Sequence, residues 1–357
     1  MNSKPAVIYM LHQGCTGSGV YGTERMTLDT LEALRPVCRP VLLAPEGAAL
    51  VRAAETGFDT VALRGRAALA LALLRALRSG PVAGLVTTSV LQSLLGLCCA
   101  SALRLKVPHV HVVHGGWDGD FGSYGRKRLL NRFPVSILAV SAYAKEKLIR
   151  QGVGADRITV VPNFLSASRA SAFARRAPFS APVRRVAVIS RLDPSKRVDL
   201  LIAALEAHSE LRDLYFGVFG DGPELPALRR RAEVSDLPVS FHGFLPDVAA
   251  RLAGYDALLH LCPVESFGLV VLEAFAAGLP VVVPDRGGTA EIVAGPPAGL
   301  RFRADDATDL ARTLAQLKGL DPGTLNEMSR EGPTLLCQKY SQEACLPEIL
   351  RLLCLSR

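Results

Sequence analysis

A chain of 357 residues exceeds the usual single core, so two domains of ordinary size are expected, each able to bury an interior of its own. Its net charge of +8 invites nucleic acid or an anionic membrane surface, but no nucleic-acid-binding motif accompanies the charge, and that class of partner is set aside. Eight cysteines show no CxxC pair and no Cys/His cluster at metal-ligand spacing, which excludes a disulfide framework and a structural zinc and leads us to expect a cytoplasmic compartment.

The amino terminus runs directly into an apolar stretch, Ala6 to Leu11, without a hydrophobic signal core, so secretion is not expected. Strand-like runs follow at Val41 to Ala44, Leu85 to Thr88, His109 to Val113 and Ile137 to Val140. They alternate with helical patterns that include Glu24 to Leu34 and Ala67 to Leu77. Val82 to Leu103 is uncharged and long enough to span a bilayer, but Thr87, Thr88, Ser89, Gln92, Ser93 and Ser101 interrupt it, and it reads as a buried strand followed by a helix. Arg126, Lys127, Arg128 and Arg132 stand near Phe121, Tyr124, Leu129 and Leu130, as on a helix against lipid headgroups or on an ordinary solvated face. Leu165 to Arg185, rich in Ala, Ser, Arg and Pro, reads as a linker. A second βαβ series follows at Val186 to Ser190, Tyr215 to Phe219, Val239 to His242, Ala257 to Leu261 and Val281 to Val283, and Gln338 to Leu355 is again helical. Parallel strands buried on both faces account for the continuous apolar runs and for the 49% hydrophobic content. Two such sheets facing each other would leave a ligand cleft at the carboxyl ends of their strands.

Two carboxylates focus the functional reading. Glu265 falls in the loop between an apolar strand broken by Pro263 and a helix that begins near Gly268, while Glu273 lies roughly 8 Å further along that helix. Both can face one crevice, one holding a sugar and the other a ribose. The backbone N–H groups of Phe267, Gly268 and Leu269 at the helix N-terminus suit a phosphate between them. Gly17-Ser-Gly-Val-Tyr-Gly22 spells a dinucleotide fingerprint, with Glu46 placed to hold a ribose, which keeps a nicotinamide oxidoreductase in view. Against it, His12 to Thr16 intervene between strand and glycines. Asp118 and Asp120 form an Asp-x-Asp pair, which can bind a metal elsewhere and reads here as solvated or near an acceptor.

The stretch Pro263-Val-Glu-Ser-Phe-Gly-Leu-Val-Val-Leu-Glu-Ala-Phe-Ala-Ala-Gly-Leu-Pro-Val-Val-Val283 resembles the signature of glycosyltransferase family 4, retaining enzymes of the GT-B fold. Further matches are Gly22-Thr-Glu-Arg25, His114 before Gly115-Gly116, Val161-Pro-Asn163, and Arg191 with Lys196. Phe219-Gly-Asp-Gly-Pro223, His242-Gly-Phe244, and Gly287-Gly288 with Glu291 match as well. Arg197 and Phe164 stand where the family usually has Gly. The resemblance covers nearly the whole chain and is strongest from Val186 to Val293.

It implies an α/β GT-B architecture of two Rossmann-like parallel-sheet domains facing a cleft. These would be an acceptor-side domain at 1–165, a linker at 166–185, a nucleotide-sugar domain at 186–337 and a carboxyl-terminal helix at 338–357 crossing back to the first domain. It also implies transfer of a sugar from a UDP- or GDP-linked donor to a carbohydrate or lipid-linked acceptor, such as a surface-polysaccharide precursor, with retention and with no metal or other cofactor. In that reading Arg191 and Lys196 hold the diphosphate, Glu265 orients the sugar, His114 contacts it and Glu273 accepts from the ribose. Ser266, Phe267, Gly268, Leu269, Gly243, Phe244 and Gly220 line the nucleotide, and Gly17, Gly19 and Gly22 border the phosphate and acceptor. The expected location is cytoplasmic, with peripheral contact at the inner face of the plasma membrane. Two alternatives keep the fold but change the outcome: a nucleotide-sugar epimerase or hydrolase, and a catalytically silent binding or scaffold subunit.

Overall fold

The computed structural model describes residues 4–12, 22–115, 125–245, 248–294 and 297–355, with the side chains of 66 and 67 left aside. Gly17, Gly19, Asp118, Asp120, Phe121 and Tyr124 lie outside the described residues. The chain divides into two compact units, one formed by Met1–Asn163 with Gln342–Arg357 and the other by Phe164–Ser341.

The first unit is built on seven parallel strands, β1 (Ala6–Met10), β2 (Arg39–Pro45), β3 (Asp59–Leu63), β4 (Val82–Thr87), β5 (His109–Val113), β6 (Ser136–Ala139) and β7 (Ile158–Val160), in the order β3-β2-β1-β4-β5-β6-β7. β3 and β7 carried little sequence signal because one has no fully buried residue and the other spans three residues. Uncharged Val82 to Leu103 resolves into β4 and a helix, Val90–Ala102, whose start is fixed by Ser89 and Gln92 in a reciprocal capping box. Among the described residues no helix is long and apolar enough to cross a membrane. The helix Gln342–Leu352 packs in this unit, where the Leu353 side chain just beyond it fills the space that Gly84 leaves open.

The segment Arg126–Arg132 is a short 3-10 helix, and its basic residues do not share one face. Lys127 is buried beside Leu130, while Arg126, Arg128 and Arg132 stay exposed with Leu129 and Phe133. Burial lowers the Lys127 ammonium to about 8. His109 and His111, which read as strand residues, are buried in β5 and share hydroxyl partners in a network with Thr87 and Ser93.

The second unit holds six parallel strands, β8 (Arg185–Ile189), β9 (Tyr215–Phe219), β10 (Val239–Gly243), β11 (Ala257–Leu259), β12 (Val281–Pro284) and β13 (Gly299–Phe302), in the order β10-β9-β8-β11-β12-β13. Val186, Val188, Phe216, Val218, Leu259 and Val282 supply one core layer, covered by Leu201 and Leu205 of the helix Val198–Ala207 and by Leu310 and Leu314 of the helix Ala307–Lys318. The strand order reverses between β8 and β11, whose register pairs Val186 with Ala257. Such a switch point opens a crevice at the carboxyl ends of its two strands, because their following loops diverge to opposite sides.

Residues 166–185 are tied into this second unit. Phe179 and Val183 enter its core, and Arg176 stacks on Phe179 while pairing with Asp256 at 3.1 Å. The other Asp256 oxygen accepts from the backbone N–H groups of Arg184 and Arg185 at 2.9 Å. One carboxylate therefore pins the start of β8 and the stretch before it. Asp256→Ala should lower stability by about 2 kcal/mol, the scale of lost hydrogen bonds to a largely buried charge. Urea unfolding checks this, and an unchanged midpoint would remove Asp256 from that role.

Candidate functional site

The site grows from the two loops beside the switch point. After β8 the chain turns through Ser190 and Leu192, and the carbonyls of this turn lie against the Gly220-Asp-Gly222 loop that follows β9. Gly220 has φ 145°, and a Cβ there would collide with the Ser190 carbonyl, so only glycine lets the two loops meet. Leu192 N–H donates to Asp221 at 2.9 Å and closes the contact. Asp193 then caps a turn of 3-10 helix, Pro194–Lys196, by accepting from the Ser195 N–H at 3.1 Å. Arg191 pairs with Asp193 at 2.8 Å and remains about half exposed, while Lys196 points inward. Arg197, where glycine was expected, sits in the left-handed region at φ 55° and pairs with Asp199 and Asp305.

After β11, His260, Cys262 and Pro263 lead into the loop carrying Glu265. That loop is fixed from behind by the glycine pair: Gly288 N–H donates to the Glu265 carbonyl at 2.7 Å, and a Cβ on Gly288 would strike the Ser266 backbone. Gly268, at φ 92° and against Thr289, turns the chain into the helix Leu269–Ala276, which starts without a side-chain cap. Helix start and carboxylate therefore sit four residues apart by construction.

The structure brings Lys196 and Glu265 together across the switch point, with Nζ donating to Oε2 at 2.6 Å. Burial alone would push the Glu265 carboxyl up, but Lys196, His260 and the Ser266 N–H outweigh it and hold the group at about 2. Burial likewise pulls on the Lys196 ammonium, and Glu265 overcomes that and raises it. The pair is therefore ionised throughout the neutral range. Burial also keeps His260 neutral, at about 4, and pushes the Cys262 thiol up to about 11.

Glu273 lies buried on the helix beyond, and Arg169 of the short helix Ala167–Ser171 pairs with it at 2.8 Å. Gly243 closes β10, followed by Phe244, and its carbonyl accepts from Gly220 N–H at 2.8 Å, so two of the three expected nucleotide-side glycines are neighbours. Ser266 and Phe267 are buried under the helix start, with Phe267 edge-on to Tyr340 at 5.8 Å. His114 belongs to the first unit, at the end of β5. Its Nε2 lies 3.3 Å from the Tyr9 hydroxyl, and burial lowers the ring to about 4, so it is a neutral imidazole. Gly22 opens the helix Gly22–Leu34. Glu46, the ribose ligand of the dinucleotide reading, is instead exposed and bound by Arg64 at 2.6 Å.

A sequence profile described as Glycosyltransferase Family 4 matches residues 20–169, and one described as Glycosyl transferases group 1 matches residues 183–318. The chain belongs to glycosyltransferase family 4. A GDP-mannose-dependent alpha-mannosyltransferase of Mycobacterium tuberculosis is 31% identical over 219 residues, 56% of this chain and 55% of that one. The phosphatidylinositol N-acetylglucosaminyltransferase gpi3 subunit of Schizosaccharomyces pombe is 32% identical over 214 residues, 56% of this chain and 44% of that one. The chain thus spans about half the length of these curated relatives. In fold it is similar to Anabaena Alr3699/HepE, solved with UDP and glucose, at a TM-score of 0.81 and 19% identity over 98% of this chain and 99% of that one. That likeness covers both units of the fold.

Linkage gives the Lys196–Glu265 pair a pH signature. The Glu265 carboxyl is depressed from 4.5 to about 2, so its contribution is present above pH 4.5 and is lost as the pH falls through about 2. The raised Lys196 contributes below its ordinary value and loses that contribution only as the pH climbs through its elevated one. Glu265→Gln should therefore flatten the loss of stability between pH 4.5 and 2, read by thermal melts across that window. Parallel acid slopes for the two proteins would show that the pair does not form.

Proposed function

We propose that this protein is a retaining glycosyltransferase that takes a sugar from a UDP- or GDP-linked donor and passes it to a carbohydrate or lipid-linked acceptor. The observation that carries the donor reading is the Lys196–Glu265 pair at the switch point of the second sheet, with Glu265 four residues ahead of a helix start that has no side-chain cap. An ammonium has three N–H bonds, so Lys196 can keep one on Glu265 and direct another at a phosphate oxygen. The helix N-terminus adds backbone donors and a favourable dipole for the same anion. Arg191, about half exposed and held by a single carboxylate, is free to swing from Asp193 onto the diphosphate.

Departure of the diphosphate is the step that needs charge; Lys196 and the helix N-terminus supply it in place, and Arg191 adds to it once it has turned from Asp193. Glu265, ionised and facing Lys196, accepts from a hydroxyl of the donor sugar. Glu273 accepts from the ribose while sharing its carboxylate with Arg169, as four lone-pair sites permit. A leaving phosphate oxygen takes the acceptor proton on the face it vacates, which gives retention. No metal is assigned a place on the diphosphate in this reading, and the contact of His114 with the sugar rests on the family resemblance.

Relatives named for GDP-mannose and for phosphatidylinositol favour a lipid-linked acceptor, and the first unit offers a surface for the membrane that would carry it. Arg126, Arg128 and Arg132 surround exposed Leu129 and Phe133, an arrangement that suits anionic headgroups.

Arg191→Ala and Lys196→Ala should each lower donor turnover by roughly 10². Turnover near wild type in both would overturn the donor site. UDP and GDP, tested separately, should raise the melting temperature, with only one base effective, and Glu273→Gln should reduce that shift. Replacing Arg126, Arg128 and Arg132 by Gln should weaken partition onto phosphatidylserine vesicles by roughly 100-fold, about 1 kcal/mol for each charge. Equal partition onto neutral phosphatidylcholine vesicles would remove the electrostatic docking.

A further inference from the structure

The loop after β11 gathers a metal-binding donor set that the linear spacing did not reveal. A ring nitrogen of His260, Sγ of Cys262 and a carboxylate oxygen of Glu265 lie within 4.8 Å of one another. Tetrahedral zinc would hold such donors roughly 3.5 Å apart, so the three need to close by at most about 1.3 Å. His260 is 4% exposed, and its Nε2 has no hydrogen-bond partner among the described residues. A buried imidazole nitrogen left without a partner costs free energy unless a ligand uses it. A cation already occupies the mouth of this group: Lys196 Nζ is 2.6 Å from the Glu265 carboxylate and 4.0 Å from the Cys262 sulfur.

We propose that His260, Cys262 and Glu265 form an inhibitory site for a thiophilic divalent cation, zinc above all, which competes with the Lys196 ammonium. On binding, the Cys262 S–H bond breaks, a metal–sulfur bond forms and the proton passes to solvent. The carboxylate exchanges its hydrogen bond to Lys196 for the metal, and a water completes the fourth position. The Lys196 ammonium, partly exposed, turns out to solvent, and the buried group then stays neutral, because a divalent ion facing a carboxylate and a thiolate replaces one ammonium facing one carboxylate. A mixed nitrogen, sulfur and oxygen set selects zinc, cobalt or cadmium over magnesium or calcium, which take oxygen ligands. Glu265 and Lys196 are partly exposed and give the ion its way in.

The inhibitory consequence rests on the donor reading above, since it needs Lys196 and Glu265 to serve the diphosphate and the sugar. The binding itself does not. The test is therefore spectroscopic first: full-length protein titrated with Co²⁺ or Cd²⁺ and read by the thiolate-to-metal charge-transfer band, with proton release measured alongside. One ion per chain should bind. Cys262→Ser, a one-atom exchange, should abolish the band and weaken binding by more than roughly 100-fold, beyond the loss seen when only an outer partner is removed. Lys196→Ala should tighten binding, because the competing ammonium is gone, a gain that a merely structural cysteine would not produce. Zinc should then inhibit donor turnover in the wild type and not in Cys262→Ser. A band that persists in Cys262→Ser, or affinity unchanged in Lys196→Ala, would overturn the site. Binding that behaves as expected in a protein with no donor turnover would uphold the site and discard the transferase reading.

Discussion

A lysine and a glutamate facing each other at 2.6 Å across two neighbouring parallel strands set the terms for this site. Neither could remain charged alone at this depth. Burial works against both charges, and their mutual attraction, the largest of the opposing effects, keeps the carboxyl near 2 and the amine above its ordinary value. The sheet makes that attraction available by reversing strand order between β8 and β11, so that one loop delivers the cation and the other the anion. The glycines around the pair are there to bring backbone against backbone. Gly220 admits the Ser190 carbonyl, Gly268 turns over Thr289, and Gly288 rests on Ser266.

The pair also explains why the site can meet a highly charged ligand without a large rearrangement. Its own charge is balanced, so no unpaired ion is buried when the ligand is absent. The ammonium retains donor capacity when a phosphate arrives. A cation competing for the same carboxylate then becomes a natural means of control, and the sulfur of Cys262 and a ring nitrogen of His260 stand within its reach.

Much of this was legible in the sequence. The buried parallel strands announce themselves as unbroken apolar runs, and Lys196 and Glu265, singled out by residue type and place, meet at the switch point. What stayed hidden depends on long-range partners. Nothing in an Ala- and Ser-rich stretch shows that Arg169 reaches Glu273, or that Phe179 and Val183 belong to a core rather than to a linker. Lys127 reads as one charge in a basic cluster because a 3-10 helix, unlike the α-helix its pattern implies, turns that residue inward beside Leu130. His260 and Cys262 lie two residues apart with Glu265 in the next turn, a spacing that metal-site patterns do not include. Asp193 is the one omission that local sequence could have supplied, since Asp-Pro-Ser is an ordinary capping signal.

The chain passes between its two units twice, after Asn163 and after Ser341, and the two passages are stitched together where Leu165 N–H donates to the Tyr340 carbonyl at 3.0 Å. The second unit is continuous in sequence, whereas the first is closed by a helix made after it. Order of synthesis and order of completion are therefore reversed. During translation the second unit can finish while the first still lacks the apolar cover of Ile349, Leu352 and Leu353 over Val86 and Leu138. An unfinished sheet waiting on a distant segment is exposed to misassembly for the whole of that interval.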